Sequence, residues 1–353
     1  MKKLRRLAAA ACALALSAGA VGCGGSSSGS SLSGDTVISL DSIAETLGAG
    51  WNYGNTLEAN TGGTPNETVW GNPAASQEMM DAVAAAGFKT VRIPVSYLDK
   101  IDDSNGYKVD EEWLGRVQEV VDYAYNAGLN PIINVHGDGY NSVTGGWLLC
   151  NGDNQDYIKE KYEALWKQIA EKFSSYDERL IFESMNEEFD GEYHDTVAEY
   201  YSNINAYNQI FVDAVRSTGG NNTHRWLMMP GWNTDINYTV GDYGFALPSD
   251  DNNTAGENRI IVSVHCYDPW DYCGEDSKKI FIWGEKGDEI IEVNKASSHW
   301  KASLNEEYIE GQLTKVKEKF VDNGIPVVIG EFGCIDKTDA NAGIPNQIAE
   351  NRA

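Results

Sequence analysis

Two glutamates stand where chemistry is most readily built. Glu187 closes the run Leu180-Ile181-Phe182-Glu183-Ser184-Met185-Asn186-Glu187, and Glu331 closes Val327-Val328-Ile329-Gly330-Glu331, ahead of Phe332 and Gly333. A charge placed directly after a buried apolar strand is costly unless it faces water, a partner or a substrate. Facing one cleft, two such carboxyls could divide proton transfer and nucleophilic attack between them. As separate strand-end acids on the surface they would do neither. Other polar types end apolar runs in the same way: Asn55, Arg92, His136, Asn186, Trp232 and His265. His136-Gly137-Asp138 offers two metal-ligand types without a third at a recognisable spacing, so no metal is expected. No GxSxG elbow joins a strand to a helix, which argues against a Ser-His-Asp hydrolase.

The elements that must position these residues follow one repeating pattern. An amphipathic helical stretch ends at a glycine, and a short apolar strand ending in polar residues comes next. Strands are predicted over 50–56, 89–94, 130–136, 179–186, 225–231, 259–264 and 326–331, and helices over 77–86, 111–127, 157–173, 197–217 and 307–322. Residues 233–258 read as loop. Strands alternating with helices imply parallel βαβ units, hence α/β architecture. An open doubly wound sheet and a closed (β/α)8 TIM barrel both satisfy the pattern. The first strand ends in Gly54-Asn55-Thr56, which has no phosphate-cradling glycine form. In a barrel, by contrast, all the polar strand ends converge on one face, where active sites are built. The barrel is the expected fold.

Five motifs, in order from Trp51 to Gly333, resemble glycoside hydrolase family five, cellulase-type members of clan A. They are Gly50-Trp51-Asn52-Tyr53-Gly54-Asn55-Thr56-Leu57, Val91-Arg92-Ile93-Pro94-Val95-Ser96, Asn186-Glu187, His265-Cys266-Tyr267 and Gly330-Glu331-Phe332-Gly333. The resemblance implies Glu187 as acid/base, Glu331 as nucleophile, and Arg92, His136, Asn186, His265 and Tyr267 as their supporting shell. It implies a retaining, endo-acting β-1,4-glucanase that needs no cofactor, in which Asn186 holds the sugar 2-hydroxyl. Many members carry a second His where Gly137 stands, and often Pro where Glu188 stands. Both departures resemble a glucan- and xyloglucan-active branch, with Asp138 or Tyr140 as replacement sugar contacts. Asn55, Asp138 and the loop tryptophans Trp147, Trp232, Trp270 and Trp283 are the expected substrate contacts, since indole faces suit pyranose rings. A β-mannanase or xylanase of the same fold, a non-catalytic carbohydrate-binding lipoprotein, and an extracellular esterase or metal-dependent deacetylase on polysaccharide are the rival readings.

Composition narrows the partners. With 53 acidic against 27 basic residues the formal net charge is −26, which repels phosphate and excludes a nucleic-acid partner. Eighteen Tyr and ten Trp against nine Phe is a balance suited to polysaccharide or oligosaccharide surfaces. A monomer is expected.

The N-terminus reads as export machinery. Lys2, Lys3, Arg5 and Arg6 precede an apolar run over 7–21, too short to span a bilayer comfortably. Residues 1–22 are therefore a signal peptide, and Ala20-Val21-Gly22-Cys23 resembles a lipoprotein box. Cys23 would carry the lipid and hold the protein at the outer face of the cell membrane, extracellular on the Gly/Ser-rich tether 23–34. Cys150, Cys266, Cys273 and Cys334 remain; they could pair outside the cell, but spacing does not fix how. The catalytic domain is 35–353. Residues 343–353 read as the opening turn of the helix after the seventh strand. The chain is thus expected to stop one βα unit short of eight, without the Trp that the family's last strand brings to its site.

Overall fold

The computed structural model describes residues 38–192, 197–274, 282–285, 300–301 and 305–335. In chain order the main elements are α1 (Ile43–Leu47), β1 (Gly50–Asn52), α2 (Gln77–Ala85), β2 (Thr90–Ile93), α3 (Glu111–Asn126), β3 (Asn130–Asn134), α4 (Gln155–Lys172), β4 (Ile181–Glu183), α5 (Ala198–Ser217), β5 (Leu227–Asp235), α6 (Ile236–Val240), β6 (Ile260–Cys266), α7 (Glu306–Lys319) and β7 (Val327–Phe332). All seven strands are parallel and neighbours in chain order are neighbours in the sheet. The sheet curls into a nearly closed barrel of the (β/α)8 class. At its margins the Asn52 side-chain amide donates to the Gly330 carbonyl at 2.8 Å, tying β1 to β7. Beneath that contact lies an apolar cavity of about 540 Å³, lined by Leu47, Trp51, Ile132, Val328 and Phe332 among others.

Local chemistry explains the element boundaries. Asp110 caps α3 by accepting from the Glu112 and Trp113 amides, Asn154 caps α4 at Tyr157, and Asn305 caps α7 at Tyr308. Gly87 and Gly128 follow α2 and α3 at φ +97° and +78°, the left-handed region in which glycine meets no steric penalty. Strands β2 to β4 are buried at every position, as expected when helices cover a sheet whose other face is the barrel interior. The predicted loop over 233–258 is shorter than expected. β5 runs on to Asp235, whose carboxylate then caps α6 at Asn237 and Tyr238.

The barrel interior is layered with the two-residue strand period. Ile132, Ile181, Met228 and Ile261 form an apolar lower layer closed from below by Ile38, Ile43 and Leu47. Two residues further along their strands, Asn134, Glu183 and Ser263 join Arg92 in a buried polar layer. Outside the strands, Trp166 packs on Phe182 and Phe211, the latter with ring centroids 4.5 Å apart. Among the described residues no helix is long and apolar enough to cross a membrane. Residues 1–34 and 343–353, expected to hold the export signal, the tether and the next helical turn, lie outside the described residues.

Candidate active site

At the C-terminal mouth, β4 delivers Asn186 and Glu187, β6 delivers His265 and Tyr267, and β7 delivers Glu331. A shift in register between Val264 and His265 sets His265 opposite Glu331 and leaves Gly330 as the extra residue of a bulge. A Cβ on Gly330 would sit 3.0 Å from His265 Nε2 and 3.1 Å from Ser263 Oγ, so glycine lets β7 approach this closely. One oxygen each of Glu187 and Glu331 and one ring nitrogen of His265 all lie within 4.8 Å of one another. That is the short separation required when one carboxylate attacks and the other transfers a proton, about 5–5.5 Å.

Arg92 connects both carboxylates. Its Nη1 donates to Glu331 Oε1 at 2.7 Å and to Asn52 Oδ1 at 3.1 Å, and its Nε donates to Glu183 Oε2 at 2.6 Å. Its Nη2 donates to Asn186 Oδ1 at 2.7 Å. Asn186 Nδ2 donates to the Tyr140 hydroxyl at 2.6 Å, which in turn donates to Glu187 Oε2 at 3.1 Å. Glu187 Oε1 pairs with His265 Nδ1 at 2.7 Å. Tyr267 donates its hydroxyl to Glu331 Oε2 at 2.8 Å. Both oxygens of Glu331 thus have strong donors. Burial pushes its carboxyl up, but His265, Arg92 and the Tyr267 hydrogen bond outweigh it and hold Glu331 at about 2. Burial beside Glu331 and Glu187 raises the Tyr267 and Tyr140 hydroxyls, which remain donors.

His136 is set by the layer beneath. Asn134 Oδ1 accepts from the Val95 amide, so its Nδ2 faces Glu183 Oε2 at 3.0 Å and His136 Nδ1 at 3.2 Å. His136 therefore accepts at Nδ1 and turns an Nε2 proton outward. Enclosure and the Arg92 charge hold it at about 3, hence neutral.

Glu187, Glu331, Arg92, Asn186, His265 and Tyr267 come together, and His136 joins them through Asn134. Of the expected sugar contacts, Trp270, 56% exposed, lines the cleft of about 720 Å³ with Asn233, Asp235, Tyr267 and Asp268. Asn55 is exposed in the loop after β1 at φ +59°. Four expected sugar contacts need correction. Asp138 is fully buried, accepting from the Tyr97 and Leu98 amides and the Trp147 indole, so it organises a loop instead of meeting sugar. Trp147 is buried by that same bond, and Trp232 is wholly buried, stacked on Tyr201 at 5.7 Å. Trp283 stacks on Tyr272 and lines a separate hollow with Ile309 and Leu313.

The departures at positions 137 and 188 have physical causes. Gly137 packs on Ser96, where a Cβ would meet Oγ at 2.5 Å, so no second histidine fits. Glu188 turns into the core, accepts from the Cys150 amide at 2.7 Å and is held by burial well above the usual carboxyl range. Cys150, Cys266 and Cys334 are free thiols. Glu183, Asn134 and Ser263 escaped the sequence reading. Their only signal is the two-residue spacing from Ile181, Ile132 and Ile261, which puts polar groups on the inward face of otherwise apolar strands.

A family model described as cellulase (glycosyl hydrolase family 5) matches residues 54–351. The chain is 52% identical over 309 residues to an endoglucanase A of Paenibacillus barcinonensis, covering 86% of this chain and 75% of that one. A family 5 xyloglucanase from Paenibacillus pabuli, solved with a ligand, superposes with a TM-score of 0.81 at 55% identity, covering 85% of this chain and 83% of that one. A GH5-4 broad specificity endoglucanase from Bacteroides salanitronis gives 0.76 at 41% identity, covering 85% and 78%.

Proposed function

The chain belongs to glycosyl hydrolase family 5, and from that premise we propose that Glu331 attacks and Glu187 transfers the proton in a retaining, endo-acting cleavage of β-1,4-glucan. The observation that carries this assignment is the asymmetric setting of two carboxyls whose ligand atoms lie within 4.8 Å. Glu331, held as an anion by Arg92 and Tyr267, forms a bond to the anomeric carbon as the glycosidic C–O bond breaks. Glu187 gives its proton to the departing oxygen. With Glu331 esterified, Glu187 takes a proton from water, which attacks the same carbon and releases Glu331. Asn186, engaged at both ends by Arg92 and Tyr140, is positioned by them to meet the 2-hydroxyl. Trp270 supplies an exposed stacking face in the cleft.

Among β-1,4-glucans, xyloglucan is the proposed substrate alongside unbranched and mixed-linkage forms, supported by the Paenibacillus pabuli xyloglucanase and the broad specificity endoglucanase. Reducing-sugar release from soluble glucan and xyloglucan, measured for wild type, Glu331→Ala and Glu187→Gln, tests this. Each variant should lose about a thousandfold or more in kcat. Retention of substantial activity by Glu331→Ala would overturn the assignment.

A monomer is part of this proposal, supported by Glu187, Glu331 and the residues that hold them all coming from one chain. It works outside the cell, held through lipid on Cys23, a reading supported by the basic head, the apolar run and the Ala20-Val21-Gly22-Cys23 box. Cys23→Ser should then move enzyme activity from the membrane fraction to the medium; an unchanged distribution would count against the anchor.

A further inference from the structure

Arg92 is nearly fully buried and touches two carboxylates, of which the established type of reaction uses only one. Glu183 is wholly buried below the site and meets no cleft surface. Its Oε2 accepts from Arg92 Nε at 2.6 Å and Asn134 Nδ2 at 3.0 Å, and its Oε1 accepts from Ser263 Oγ at 2.9 Å. These partners come from three other strands and hold the groups behind Glu331, His136 and His265. Packing alone would not require a charge here, because a buried ion pair is a poor source of net stability.

The charge has a use once the reaction proceeds. When Glu331 bonds to the anomeric carbon and Glu187 releases its proton to the leaving oxygen, Glu331 becomes a neutral ester. The nearest partner left charged in contact with Arg92 is then Glu183. Without it, a desolvated guanidinium would face only amide oxygens and an ester, an arrangement of high energy. We infer that Glu183 is a positioning residue whose carboxylate keeps Arg92 compensated while Glu331 is esterified, lowering the barrier into the glycosyl-enzyme without assisting its hydrolysis. The inference rests on the reading of Glu331 as nucleophile.

Glu183→Gln isolates the charge from the hydrogen bonds. The amide oxygen can still accept from Arg92 and Asn134, and its NH2 can donate to Ser263 Oγ in place of the present bond. The experiment traps the enzyme with an activated 2-fluoro cellobioside and reads two rates, inactivation as the ester forms and reactivation as it hydrolyses. In Glu183→Gln, inactivation should slow by about a hundredfold relative to wild type, while reactivation stays equal or quickens. A proportional fall in both rates, as from a general loss of order, would overturn the proposal, and so would unchanged inactivation. Glu183→Asp, its charge drawn back from Nε, should lower the ratio of inactivation to reactivation by about threefold. An unchanged ratio there would overturn the proposal even if the Gln variant does not fold. Peptide mapping of trapped wild type distinguishes the underlying assignment. Label on Glu331 with an unchanged ratio defeats this inference alone, whereas label elsewhere defeats the nucleophile assignment and the inference with it.

Discussion

His265, Arg92 and the Tyr267 hydroxyl together make Glu331 an unusually strong acid for a group with so little water around it. Loss of the Tyr267 hydroxyl should therefore be visible in the pH profile. Tyr267→Phe removes a donor from the anion, so the Glu331 value rises from about 2, and the acidic limb of kcat/KM should move up by roughly one pH unit. The accompanying loss in kcat should be about 10- to 100-fold, checked with a soluble glucan across pH. An acidic limb that stays in place would mean that Tyr267 does not hold the anion. At this scale the sequence was most legible where a polar residue ends an apolar strand. Arg92, Asn186, Glu187, His265 and Glu331 are all of that kind, and the barrel brings such ends to one mouth. It was least legible in loops, where direction is set by contacts distant in sequence. Asp138 and Trp147 look equally available to sugar until the amides of Tyr97 and Leu98 claim the carboxylate. Glu183 was missed for the opposite reason, since a polar residue inside a strand does not declare which face it joins.

At the scale of elements, two close approaches fix the site. The bulge at Gly330 puts Glu331 opposite His265, and the Gly137 turn carries the chain past Ser96 after β3. Ser96 cannot swing away freely, because its Oγ accepts from the Gly137 amide at 2.9 Å and donates to the Glu58 carbonyl at 3.3 Å. Gly137→Ala should accordingly destabilise by about 1–3 kcal/mol, read as a lower melting temperature. A melting temperature equal to or above wild type would show that Ser96 can yield. The seven strands and the alternating helices were legible from periodicity and glycine stops, to within a few residues at each end. The run of β5 to Asp235 and the short α6 were not, because Asn233 and Thr234 take left-handed backbone angles of +49° and +51° that these residue types do not announce.

For the whole molecule, proton linkage ties the site to acid stability. Glu331 falls from 4.5 to about 2 on folding and His136 from 6.5 to about 3. In both cases the unfolded chain binds more protons at intermediate pH, so stability falls as pH falls. The His136 contribution is present above about 6.5 and is lost toward 3; the Glu331 contribution is present above about 4.5 and is lost toward 2. Glu58, Asp138 and Glu188, raised by burial, act in the other direction. The difference between wild type and variants therefore isolates each group. Denaturant midpoints of His136→Asn should decline less than wild type from pH 6.5 to 4, and those of Glu331→Gln less than wild type below 4.5. Parallel curves would contradict the linkage. The buried thiols carry a different consequence. Burial raises Cys150 and Cys266 away from the reactive thiolate form. A thiol reagent reaches Cys150 only when the packing around it opens, so its labelling rate clocks the opening of the fold.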